Sequence, residues 1–214
     1  MRLVKFGHAC VRLDKDERRI VIDPGVFTPE TEALEGVEAI LVTHEHADHV
    51  DAARLADHLA AMPETRLVAS PAVLARLGHL CPAVQTVGVA DGETVRIAGF
   101  EVRGVGRVHH VGHPDVAPVP NTGFLIDGEV LHPGDALPPV AAPTLLVPLQ
   151  APWMAVGDLV RYLRAVKSRR AYAIHDGLLN EHGLALWDGV LAGEARGLDR
   201  EIRRLASGDA VEVG

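Results

Sequence analysis

His44-Glu45-His46-Ala47-Asp48-His49 stands directly behind an apolar run, residues 37–43, that reads as a buried strand. Four side chains able to bind a metal lie within these six residues. His44 and His46 are two apart, so an extended backbone points both imidazoles to one side. Asp48 and His49 fall where the chain turns into a helix, and they are placed to aim at a second, adjacent point. A helical His-Glu-x-x-His, with two histidines sharing one helical face, is absent because position 50 is Val50. An exposed polar helix cap accounts for one histidine here, but not for four ligands at this density.

Further ligands stand at other strand ends. Residues 100–108 end at His109-His110, residues 130–131 lead into His132-Pro133-Gly134-Asp135, and residues 170–174 end at His175-Asp176. Open α/β sheets bind ligands beyond strand ends, so this recurrence predicts convergence on one edge. The resulting set suits two metal ions better than one, because a structural zinc is closed by four ligands and a catalytic one keeps a position for water. Nitrogen and oxygen donors without thiolate admit zinc, manganese or iron.

Around these points the chain alternates short strands and helices. Residues 2–6, 9–13 and 19–23 read as strands, with a polar turn at 14–18. Asp51 caps a helix carrying Leu55, Leu59 and Met62, and Ser70-Pro71 starts another that stops at Gly78. Residues 67–69, 84–89, 94–97 and 100–108 are strand-like. A proline-rich constrained loop covers 112–121. Residues 122–126 and 129–131 form a hairpin across Asp127-Gly128, and 144–147 and 171–174 are strands. Leu159, Leu163 and Val166 mark one late helix, and Leu184, Trp187 and Leu191 another. Ser207-Gly208-Asp209 reads as a turn between two short strands. The pattern is one α/β domain over 1–214, with sheets covered by helices.

Composition narrows the function. The 214 residues are 48% hydrophobic and 23% charged, which excludes disordered and low-complexity classes. The net charge of −8 argues against general nucleic-acid binding. No signal-peptide core or bilayer-length apolar run appears, and Cys10 and Cys81 do not make a disulfide framework. The expectation is a soluble cytoplasmic protein with a small-molecule substrate, no nucleic-acid or membrane partner, and room for homo-oligomers. The 12 histidines outnumber the aromatics, which directs attention to metal binding.

The order His-x-His-x-Asp-His, strand-end His, Gly-Asp and late His resembles the metallo-β-lactamase-fold hydrolase superfamily. Gly7-His8-Ala9-Cys10, Ile22-Asp23-Pro24, His132-Pro133-Gly134-Asp135 and Ile174-His175-Asp176-Gly177 look most like its small hydrolases related to ascorbate-6-phosphate lactonase. The resemblance implies a four-layer αββα sandwich, two mixed sheets with helices outside and metals at one edge. It also implies two divalent ions, zinc foremost, with manganese or iron as alternatives. His44, His46 and His109 would bind the first and Asp48, His49 and His175 the second, with Asp135 bridging. His109 is chosen over His110 as the first residue past its strand, followed by His113-Pro114-Asp115 as in similar small hydrolases. His110 then becomes a supporting or pocket residue.

Other residues have subsidiary readings. His8 is either near the metals or a hydrogen-bonded buried histidine, the latter preferred. Asp23 resembles the carboxylate that steadies a metal-ligating histidine. His113 lines the pocket or fixes the proline-rich loop, and His132 orients the Gly-Asp turn. His58, His79 and His182 are ordinary helical residues. Asn121 bonds substrate or caps a turn, and Trp153 walls the pocket or anchors the core. The basic run from Arg161 to Arg170 is read as a solvated face.

The implied chemistry is hydrolysis of a small-molecule ester, lactone or phosphoester by a metal-bridged hydroxide, with Asp48, His109 and Asp135 as catalytic residues. Gly-x-Ser-x-Gly does not occur, so no serine-nucleophile elbow competes with this reading. The alternative is an iron-bound redox or sensing protein on the same fold.

Overall fold

The computed structural model describes residues 1–29, 31–111, 113 and 115–214. Its strands are β1 (Arg2–Lys5), β2 (Val11–Lys15), β3 (Arg18–Ile22), β4 (Ala39–Leu41), β5 (Arg66–Ala69), β6 (Thr86–Gly88) and β7 (Thr94–Ile97), then β8 (Phe100–Val105), β9 (Gly123–Ile126), β10 (Val130–His132), β11 (Thr144–Pro148), β12 (Arg170–Ile174), β13 (Glu201–Arg204) and β14 (Ala210–Glu212). The helices are α1 (Ala52–Ala61), α2 (Pro71–Leu77), α3 (Val156–Ala165) and α4 (Glu181–Leu198).

Among the described residues the strands form two mixed sheets of seven. One runs β14-β1-β2-β3-β4-β5-β6, the other β13-β12-β11-β10-β9-β8-β7. Strands β3 to β6 are parallel, as are β10 to β13, and parallel strands require both faces covered. The apolar runs of β4 and β11 meet that demand and are buried throughout. Strand β8 alternates instead: Phe100 and Val102 are buried and Glu101 and Arg103 exposed, so only one face meets the core.

Burial falls into three layers. Leu13, Ile22 and Leu41 of one sheet pack against Phe100, Phe124 and Ile174 of the other. Leu55 and Leu59 of α1 and Val73 of α2 cover Ile40 and Leu67. Leu159 and Leu163 of α3 and Trp187 and Leu191 of α4 cover Leu145 and Val147. The result is the αββα sandwich. Asp51 caps α1 by accepting from the Arg54 N–H at 3.1 Å, and Ser70 caps α2 from the Val73 N–H at 3.4 Å.

One local expectation changes. The turn expected at 14–18 shrinks to Asp16-Glu17, both at positive φ (50° and 65°), as a tight hairpin requires. The flanking charges stay in the strands because they find partners: Lys15 Nζ donates to Asp127 Oδ2 at 2.6 Å. The turn at Ser207-Gly208-Asp209 does join two short strands, but β13 and β14 lie in different sheets. Among the described residues no helix is long and apolar enough to cross a membrane.

Candidate metal centre

The strands ending at Lys5, Ile22, Leu41, Val105, His132 and Ile174 all deliver their following residues to one edge, where the two sheets face each other. The backbone there is strained. His8, Asp23 and His175 have φ of 42°, 53° and 61°, the left-handed region that costs a non-glycine residue about 1–2 kcal/mol. All three side chains turn into the same cluster, as expected where function maintains strain. Gly25 permits the closest backbone approach, since a Cβ there would lie 2.0 Å from the Asp48 carbonyl oxygen. This lets the Asp23-Pro24-Gly25 turn pin the 46–51 loop through Val26 N–H to Ala47 O (2.8 Å) and Asp51 N–H to Pro24 O (3.1 Å).

Hydrogen bonds set each imidazole's orientation. Asp23 is fully buried and accepts from the Thr43 N–H (2.8 Å), the Thr43 hydroxyl (2.7 Å) and His49 Nδ1 (2.7 Å). With its hydroxyl proton given to Asp23, Thr43 Oγ1 accepts from His44 Nδ1 at 3.0 Å. His109 Nδ1 donates to the His110 carbonyl, and His175 Nδ1 to the Gln150 carbonyl at 2.6 Å. Four histidines thus spend Nδ1 on fixed acceptors and turn Nε2 inward, the arrangement that metal-ligating histidines adopt. His46 instead turns Nδ1 to the centre, 3.0 Å from His44 Nε2, and His8 differs again. Its Nδ1 accepts from the Gly177 N–H at 3.0 Å, so its proton sits on Nε2 and is donated to Asp48 Oδ2 at 3.2 Å.

Two groups of possible ligands result: His44, His46, His109 and Asp135, and His8, Asp48, His49 and His175. Within each, the ligand atoms lie within 4.8 Å of one another. Asp135 stands between the groups. Its Oδ2 is 3.3 Å from His109 Nε2 and 3.2 Å from His175 Nε2, and its Oδ1 is 3.1 Å from His49 Nε2. His49 Nε2, His109 Nε2, His175 Nε2 and Asp135 Oδ1 are buried and lack a hydrogen-bond partner among the described residues. Buried polar atoms are nearly always satisfied, so four orphans around one centre fit a place where cations bind.

The charges reinforce this. Burial disfavours a charged His44, which sits well below the ordinary histidine range. Burial also opposes charge on His175 and His49, but the adjacent carboxylates win. His175 is pushed up to about 9 by Asp135 and Asp48, and His49 is raised by Asp135 and Asp23. Burial would raise Asp135 and Asp48, yet the surrounding imidazoles hold both well below the carboxylate range. The carboxylates therefore favour positive charge at His49 and His175, the role that cations would take.

The structure brings His44, His46, Asp48, His49, His109, Asp135 and His175 together. Asn121 is fully buried and bonds the Gly-Asp turn rather than facing substrate: Oδ1 accepts from the Asp135 N–H at 2.9 Å and Nδ2 donates to Pro133 O at 3.0 Å. His132 is also within that turn, accepting from the Gly134 N–H and donating to Ala9 O at 2.8 Å. Trp153 Nε1 donates to Asp135 Oδ2 at 3.2 Å, and its ring lies 5.4 Å from His109 and 5.1 Å from His110. His110 and His113 line a cavity beside the centre. In His113-Pro114-Asp115, Pro114 lies outside the described residues, as does Gly112 of the loop. The basic run is largely ion-paired, Arg161 with Asp158 and Arg164 with Glu194.

Sequence reasoning missed two supports. Gln150 acts through its backbone carbonyl, which has no side-chain signal. Lys5 is buried, its Nζ 2.6 Å from Asp176 Oδ2 beside His175. Its only signal was a lysine inside an apolar strand.

A family model described as "Beta-lactamase superfamily domain" matches residues 2–175. Protein Rv0786c of Mycobacterium tuberculosis is 36% identical over 198 residues, covering 89% of this chain and 91% of its own. A UPF0173 metal-dependent hydrolase of Aeropyrum pernix is 29% identical over 213 residues, covering 77% of this chain and 80% of its own. The solved structure of Igni18, a metallo hydrolase from Ignicoccus hospitalis, aligns with a TM-score of 0.71 at 20% identity, over 98% of this chain and 97% of that chain. That last likeness concerns the fold.

Proposed function

The chain belongs to the β-lactamase superfamily domain family and is a metal-dependent hydrolase, and from this we propose that its strand-end clusters hold two divalent cations with Asp135 between them. The four orphaned ligand atoms carry the reading. His44 Nε2, His46 Nδ1 and His109 Nε2 would hold the first ion, and Asp48, His49 Nε2 and His175 Nε2 the second. Zinc is the proposed metal, and the same nitrogen and oxygen donors accept manganese or iron.

Bound there, two divalent ions supply a water of lowered pKa as nucleophile near neutral pH and a positive site for the developing oxyanion. The chain's own groups orient that chemistry. The Asp23 carboxylate holds His49 by Nδ1, and Trp153 Nε1 fixes one oxygen of Asp135. His8 holds Asp48 Oδ2, keeping an ionised carboxylate at the partly exposed side of the centre, where it can take a proton from the attacking water. The proposed substrates are small-molecule esters, lactones or phosphoesters. The proposed setting is the cytoplasm, as a monomer or homo-oligomer, without nucleic-acid or membrane partners; the acidic net charge supports the exclusion of nucleic acid.

Elemental analysis after chelation and metal readdition tests the proposal. Two divalent ions per chain should return together with hydrolysis of an activated ester or phosphodiester. Fewer than one ion per chain after careful loading would overturn it. Visible absorption with a strong preference for iron would favour redox or sensing chemistry instead.

A further inference from the structure

Beside the first cluster lies a cavity of about 420 Å³, bounded by His46 and His109 on one side. That volume sits at the small end of the roughly 300–1,000 Å³ typical of small-molecule sites. Its remaining wall is chiefly hydrocarbon: Val116, Pro118, Val119, Pro152 and the Trp153 indole. Among the described residues no lysine, arginine, aspartate or glutamate lines it; its polar members are histidines.

The wall is built into the centre. The His109 N–H donates to Val119 O at 3.0 Å, and Val108 bridges to Pro120, so the apolar stretch folds back along the segment carrying His109. Trp153 bonds Asp135 with its N–H and faces the cavity with its ring. Across the centre, partly exposed Phe27 packs edge-on against His8 at 5.2 Å, giving that side an apolar rim too.

Resting on the hydrolase reading above, the geometry points to an uncharged carboxylic ester or lactone bearing a short hydrocarbon acyl or aryl group as substrate, with that group filling the cavity against Val116, Val119 and Trp153. A phosphoester with further charges is disfavoured. Beyond the centre itself this wall offers no fixed cation, and burying an unpaired anion against hydrocarbon is costly. The step is ordinary hydrolysis: water's oxygen bonds the acyl carbon, the C–O bond to the leaving oxygen breaks, and one water proton passes to that oxygen.

The metal-loaded protein is assayed with p-nitrophenyl acetate, butyrate, hexanoate and octanoate, and with p-nitrophenyl phosphate and bis(p-nitrophenyl) phosphate. Binding of N-methylacetamide and N-methylhexanamide, which differ in the acyl chain, is followed by calorimetry on the same protein. kcat/KM should rise about fourfold per methylene until the cavity is full, and exceed that for both phosphates. N-methylhexanamide should bind at least about tenfold more tightly than N-methylacetamide. Val116→Asp, on an exposed wall residue, should flatten both series with an unchanged circular dichroism spectrum. Ester turnover without chain-length dependence, or a preference for phosphates, overturns the inference while leaving the hydrolase reading intact. Equal binding of the two amides overturns it as well. Chain-dependent amide binding abolished by Val116→Asp, with no turnover of any substrate, keeps the cavity assignment and sinks the hydrolase reading.

Discussion

The two ligand clusters differ in what stands behind them. Behind the second lies a largely buried network: Asp23 holds His49, Gly177 sets the proton on His8, and His8 holds the partly exposed Asp48. The first opens onto the apolar cavity, and His46 is its exposed member. Preorganised ligands bind metal more tightly because their orientation is fixed before the ion arrives. The inner cluster is therefore built for retention and the outer one for access. Asp135 belongs to both, which makes it the place where the contrast is most easily broken.

Asp135→Ala should have the largest effect. It removes the carboxylate that stands between the two groups, so both metal sites weaken together. Metal content should fall to one ion per chain or fewer, and kcat/KM by more than about 100-fold, beyond the range seen for residues that merely support a ligand. Elemental analysis with steady-state kinetics checks this, and a full metal load with normal turnover would show Asp135 misassigned.

Asp23→Ala should separate the clusters. It frees His49 Nδ1 directly and reaches the first cluster only through Thr43, the acceptor for His44 Nδ1. Affinity for one ion should drop about 10- to 100-fold while the other is retained, which chelator titration resolves as two phases. Loss of both ions in a single phase would erase the distinction drawn here.

The metal-free protein sharpens the comparison through pH. His175 is raised to about 9 when folded, from an ordinary value near 6.5. Its stabilising contribution is fully present below the unfolded value and fades as pH rises through about 9. The melting temperature of the metal-free protein should fall between pH 6.5 and 9, by on the order of 5 °C. The loaded protein should not follow, because cations replace those protons. Parallel curves for the two forms would contradict the assignment of His175 as a ligand.

The smallest effect is expected from His8→Ala. Asp48 loses one charge-assisted hydrogen bond, about 1.4 kcal/mol, so kcat should drop about tenfold with the metal load intact. If one ion leaves instead, His8 is itself a ligand.

The chain's local chemistry was readable wherever residues act on near neighbours in sequence. The spacing within 44–49 placed four ligands at a strand end, and Asp127-Gly128 dictated a hairpin whose two central residues indeed have positive φ (50° and 65°). Asp51 and Ser70 announced their helices. The recurrence of His or Asp after apolar strands announced a shared edge, because parallel strands put their carboxyl ends on the same side. What stayed hidden depends on partners far along the chain. The Lys5–Asp176 pair spans 171 positions and the His8–Gly177 bond 169, and no periodicity encodes either.

Sequence alone determined which side chains were available for chemistry and that strands would carry them to sheet ends. Tertiary structure decided which nitrogen of each imidazole faces the centre, that His8 donates to Asp48, that Asn121 serves a turn, and that an apolar cavity adjoins His109. The reason is physical. A ligand's identity is a property of one residue, but its protonation and direction are set by the second hydrogen-bond partner, and that partner arrives only when the two sheets pack.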